Sequence, residues 1–122
     1  MAELKDYITY PEDKGSIHIS DEVVAKIAAR AAAETDGVAG LATNLSGEIA
    51  RMFNKKGTKQ GIRIEKTENE LTVEVFLVAL SGYSLREVGE NVQKNVTAAI
   101  ESGTGQYAAK VNVNFCGIAF TE

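Results

Sequence analysis

The chain has 122 residues, of which 44% are apolar and 25% charged, with one proline and a formal net charge of −4. That length and balance fit one globular domain with its own core, and they exclude a multidomain enzyme and a disordered chain. The acidic balance argues against coating nucleic acid by bulk electrostatics.

Residues 1–14 carry charges of both signs and the proline, show no sustained apolar period and stop at Gly15, which predicts a flexible N-terminal tail. Ile17, His18 and Ile19 alternate as a half-buried strand does. Ser20 then offers a side-chain cap ahead of Asp21 and Glu22, whose charges complement the positive end of a helix. Val23, Val24, Ile27, Ala28 and Ala31 recur at helical spacing with Glu22, Lys26, Arg30 and Glu34 opposite, and Asp36-Gly37 ends the helix. Its alanine-rich second half predicts a closely packed neighbour. Val38 to Leu41 reads as a short extended piece, and Thr43 to Gln60 as a mobile connection holding a short helix.

Ile62 and Ile64 alternate with Arg63 and Glu65, Lys66 to Glu70 turns, and Leu71, Val73, Val75, Leu77 and Ala79 line one face of a second strand, so the pair is a hairpin. The opposite face changes from Thr72 and Glu74 to Phe76, Val78 and Leu80, which marks one end as covered on both sides. Ser84 to Glu87 forms a capping box that opens a helix over 85–101, closed by Ser102-Gly103. Leu85, Val88, Val92, Val96, Ala99 and Ile100 trace its buried stripe. Gly89 at the edge of that stripe costs about 1 kcal/mol against alanine, which predicts close approach of the first helix's backbone. Val111, Val113 and Phe115 alternate with Asn112 and Asn114 in a final strand. The expected fold is α+β, a two-layer sandwich with a mixed or antiparallel sheet and two amphipathic helices packed on one face. It forms a single domain over 15–120, with 121–122 a short C-terminal end.

Catalytic, metal and cofactor residues are all expected to be none. The one Cys/His pair, Cys116 with His18, falls on two terminal strands, and the carboxylates Glu65, Glu68, Glu70 and Glu74 surround a solvated turn. Neither CxxC, paired histidines nor a DxDxDG loop occurs, and the Ser102 to Gly105 run follows a helix where a phosphate cradle precedes one. A lone cysteine closes no intrachain disulfide, the longest apolar run, Val75 to Leu80, is far short of a membrane span, and the chain opens without a charged-then-apolar leader. A soluble cytoplasmic protein is expected.

Two surfaces stand out. Phe76, Val78 and Leu80, on the sheet face away from the helices, form a candidate contact for another subunit or partner. Six of the thirteen basic residues lie between Arg51 and Lys66, a local charge of +5 on a chain otherwise at −9. Within that segment Arg51, Lys55, Lys56, Lys59 and Arg63 form a candidate surface for anionic partners, including nucleic acid on a KH-like arrangement. Leu45, Ile49, Met52 and Phe53 share one helical face beside them, a pattern that rests on anionic membranes.

Three separated blocks, GSIHISDEVVAKIAARAAAETDGVAGL, TVEVFLVALSGYSLREVGENVQKNVTAAIESGTG and VNVNFCGI, together resemble the alkaline-shock, or envelope stress response, family of Gram-positive bacteria. The resemblance runs from Gly15 to Ile118 and includes Asp36-Gly37-Val38, Gly82, Asn91-Val92-Gln93 and Val111-Asn112-Val113 with Gly117. Ser81-Gly82, Gln106 to Ala109 and Phe115-Cys116 depart from its usual pattern. It implies a non-enzymatic cytoplasmic protein, a homo-oligomer or partner-binding scaffold. Its partner would be a membrane-anchored protein or a fatty-acid synthesis enzyme, which would place it peripheral to the membrane.

Overall fold

The computed structural model describes residues 7–42, 58–59, 61–66, 70–108 and 110–120. Where a tail was expected, β1 (Tyr7–Glu12) and β2 (Gly15–Ser20) form an antiparallel hairpin with Ile8 opposite Ile19 and Tyr10 opposite Ile17. The charged residues hid a period-two alternation that sets Ile8 and Tyr10 on one face, and Pro11 is tolerated because a two-stranded ribbon is all edge. Ile8 is buried in the core, with Tyr10 and Ile19 packed on it.

Helix α1 (Asp21–Ala33) begins as its residues dictate: Ser20 is the N-cap, and its Oγ accepts the Val23 amide at 3.2 Å. Val24, Ala25, Ala28 and Ala32 are buried, while Val23, expected to point inward, is exposed. The chain leaves α1 through Gly37, in the left-handed region at φ 92°, and enters β3 (Val38–Leu41).

Strand β3 joins β4 (Thr58–Lys59), β5 (Ile62–Lys66), β6 (Leu71–Leu80) and β7 (Lys110–Ala119) in a five-stranded mixed sheet. The central strand is β6. One of its edges takes β5 along the first half, with Ile62 opposite Val75, and β3 along the second, with Leu41 opposite Leu77. Phe76 sits at the junction, its N–H donating to the Gly61 carbonyl and its carbonyl accepting from the Ala42 N–H, both at 2.8 Å. The other edge of β6 pairs with β7 in parallel, from Thr72 opposite Lys110 to Leu80 opposite Ala119.

Parallel neighbours need a crossover, and α2 (Leu85–Thr104) supplies it. Its 20 residues span about 30 Å at the α-helical rise, close to the length of ten-residue β6. Ser84 caps its start, with Oγ accepting from the Glu87 amide at 3.4 Å. The helix runs past Ser102-Gly103 and closes at left-handed Gly105, because Thr104 Oγ1 donates back to the Ile100 carbonyl at 2.8 Å and holds the last turn. Val88, Val92, Val96 and Ile100 are buried against α1 and the sheet.

The two helices pack side by side in opposite directions, with Ile27 beside Gly103 and Gly37 beside Val88. At Gly103 a Cβ would stand 3.0 Å from Ile27 Cδ1. Gly89 instead lies over the Phe115 ring, 3.5 Å from where its Cβ would sit, so the expected backbone contact there is replaced by an aromatic one. Buried Thr35 joins the helices by accepting from Asn95 Nδ2 at 3.0 Å and donating to the Ala31 carbonyl at 2.9 Å. Thr35→Val keeps the shape and removes both bonds while exposed Asn95 turns to water, so it is expected to lower stability by about 1 kcal/mol in urea unfolding.

Candidate interaction surface

Pairing register places Thr72, Glu74, Phe76, Val78 and Leu80 on the sheet face away from the helices, beside Asn112, Asn114 and Gly117 of β7 and Arg63 and Glu65 of β5. Half of that face is a closed polar network. The Glu74 carboxylate accepts from Asn112 Nδ2 at 2.7 Å and from Asn114 Nδ2 at 3.1 Å, and Asn114 also donates to the Val75 carbonyl at 3.2 Å. In the apolar half, Phe76 is fully buried, so it is a structural residue and not the exposed contact expected of it. Val78 and Leu80 are half-buried.

The basic segment is less available than its charge count implies. Arg63, expected to contact phosphate, is buried, opposite Glu74 in register and ion-paired through Nη1 to Glu65. A phosphate approaching it would meet two carboxylates. Lys66 turns to the helix side and pairs with Asp21 at the start of α1, Nζ to Oδ1 2.8 Å. Lys59 belongs to β4, opposite Ile62. Arg51, Lys55 and Lys56 lie outside the described residues, as do Leu45, Ile49, Met52 and Phe53.

His18 sits on the exposed face of the N-terminal hairpin, its Nδ1 3.1 Å from Thr9 Oγ1, while Cys116 belongs to the other sheet. Among the described residues no group of His, Cys, Asp or Glu is placed to hold a metal ion, and no helix is long and apolar enough to cross a membrane.

What the sequence pattern missed is the outer side of β7. The strand runs to Ala119, beyond its predicted end at Phe115, because a register shift opposite Leu77 and Val78 makes Cys116 an extra residue and flips the alternation after it. Among the described residues β7 pairs only with β6. From Val111 to Phe120 it carries neither a charge nor a proline. Ile118 stands exposed in it, Tyr107 before it and Phe120 after it are exposed, and Tyr83 and Leu85 are exposed at the start of α2. Helix α2 reaches the strand through Gln93, whose Nε2 donates to the Val111 carbonyl at 3.0 Å.

Half-buried Cys116 has Sγ 3.6 Å from the Asn114 carbonyl, and burial pushes its thiol pKa up. Little thiolate then forms near neutral pH. Iodoacetamide at about pH 7.5 is expected to label Cys116 more slowly than free cysteine and to accelerate as pH rises, read by intact-mass spectrometry. A rate equal to free cysteine would show an open thiol.

Residues 9–120 match the alkaline-shock protein 23 family, which is described by a cell envelope-related function. The chain belongs to this family. The matched span begins inside β1. The chain is 31% identical over 101 residues to the uncharacterized protein Spy1614 of Streptococcus pyogenes, covering 81% of this chain and 84% of that one. It is 29% identical over 106 residues to the uncharacterized protein YqhY of Bacillus subtilis, covering 87% and 78%. The uncharacterized protein YloU of the same organism is 25% identical over 110 residues, with 88% and 92% covered. Among solved structures, a zinc form of a MamM CTD variant aligns over 84% of this chain and 87% of that one at 15% identity and TM-score 0.47, too distant to carry fold or function across.

Proposed function

We propose that the chain is a non-enzymatic scaffold in cell-envelope and membrane-lipid homeostasis, acting by self-association or by holding a protein partner. The observation that supports this reading most is the outer side of β7, a ten-residue strand unpaired on one edge among the described residues, with exposed Ile118 in it and exposed Tyr107 and Phe120 on either side of it. An edge without charge or proline from Val111 onward is a template for another chain. The family's cell envelope-related function supplies the setting. In that setting the partner is a membrane-anchored protein or a fatty-acid synthesis enzyme, met in the cytoplasm or at the membrane through that partner. A nucleic-acid-binding module is the weaker reading, since Arg63 and Lys66 already neutralise Glu65 and Asp21.

Affinity capture of the tagged protein from a Gram-positive lysate in mild detergent, split into nuclease-treated and untreated halves, tests the choice. Recovery of the same envelope protein or fatty-acid synthesis enzyme from both halves is the expected result. Recovery that collapses with nuclease would overturn the scaffold reading.

A further inference from the structure

We infer that the N-terminal hairpin of β1 and β2 is a strap, which swings off the body about Ser20 while both helices and the five-stranded sheet stay folded. The inference goes beyond the scaffold reading and gives the chain a closed and an open form.

The hairpin's ladder is internal: among the described residues its two strands pair with each other and with no strand of the larger sheet. Register puts Ile8, Tyr10, Ile17 and Ile19 on one face of the ribbon. Only the half next to α1 is docked. Ile8 is buried in the core and Tyr10 and Ile19 pack on it in part, while every residue from Pro11 to His18 is exposed, Ile17 to 51%. Strand β6, by contrast, is paired along both edges.

One group works against the docking. Tyr10 lies against Gly105 at the end of α2, its hydroxyl 3.5 Å from where a Gly105 Cβ would sit, and that hydroxyl is buried with no hydrogen-bond partner. Docking takes it out of water and returns no bond, whereas swinging out rehydrates it. The hinge is firm on the body side. Ser20 caps α1, and Asp21, the next residue, is ion-paired to Lys66 of β5, so the start of α1 keeps its place when the hairpin leaves. A two-stranded ribbon is marginal on its own. The opened strap therefore loses its own ladder as well, and the apolar surface under Ile8 and Tyr10 is uncovered.

Native-state hydrogen exchange of the full chain, read residue by residue by NMR in low urea, tests the strap. Amides of β1 and β2 are expected to exchange faster than those of β6 and with a smaller urea dependence, since opening exposes less surface than unfolding does. Gly37→Ala separates the two events, because it lies at the opposite end of α1 from the hairpin. It is expected to raise β6 exchange about a hundredfold and leave hairpin exchange unchanged. Thr35→Val is the milder second variant, expected to raise β6 exchange about fivefold, again with the hairpin unchanged. Tyr10→Phe is expected to slow hairpin exchange about fivefold. Hairpin amides that accelerate in step with β6 in either body variant would show that the hairpin opens only when the whole chain unfolds, and would overturn the strap. Hairpin exchange unchanged or faster in Tyr10→Phe would overturn the part assigned to the hydroxyl. Neither result bears on the scaffold reading.

Discussion

Phe76→Ala is expected to lower the free energy of unfolding by about 4 kcal/mol, with the urea midpoint falling and the slope unchanged. The ring is fully buried on the side of the sheet opposite the main core, and its backbone bridges Gly61 and Ala42 where β5 and β3 meet along β6. Truncation there loses the burial of a whole ring and leaves a cavity in its place. Val78→Ala and Leu80→Ala, at half-buried sites on the same face, are expected to cost no more than about 1–2 kcal/mol. A Phe76→Ala loss of similar size would show that the ring is not packed. Phe76→Glu would unfold the chain before reporting on assembly, so that face is better probed at Val78 and Leu80.

Gly37→Ala is expected to cost about 3 kcal/mol, combining a left-handed backbone with overpacking. At φ 92° an alanine Cβ would stand 2.6 Å from Val88 Cγ2 and 3.0 Å from Tyr83 Cδ2. The backbone has no room to retreat, because the Gly37 carbonyl accepts the Leu80 amide at 2.8 Å and Val88 is anchored in α2. Gly40→Ala is the matched control, since it has an ordinary φ and no atom within 4 Å of its Cβ position, and it is expected to melt close to wild type. Equal melting of the two variants would show that the turn after α1 adapts.

Both predictions fall where local reading fell short. Asp36-Gly37 was legible as a helix exit, but the overlap with Val88 depends on α2 returning across α1 from some fifty residues away. Phe76, Val78 and Leu80 were legible as an apolar stretch on the second face of β6, yet three identical signals became one buried ring and two half-exposed side chains. Arg63 and Lys66 counted equally toward a basic segment, and the strand's alternation sent one toward Glu65 and the other toward Asp21. Pairwise charge cancellation of that kind is invisible until register is known.

By itself the sequence determined the caps at Ser20 and Ser84, the Val88, Val92, Val96 and Ile100 stripe of α2, the β5–β6 hairpin, the two-layer α+β class and the family. Each is encoded within a few turns of chain, by a side chain answering a nearby amide or by an apolar period that matches a helix or a strand. Only the tertiary structure decided that β1 is a strand, that β3 and β5 share one edge of β6, that Gly89 faces Phe115 and that β7 runs on past a bulge to Ala119. Those outcomes depend on partners distant in the chain, and a single extra residue at Cys116 reverses every side chain that follows it.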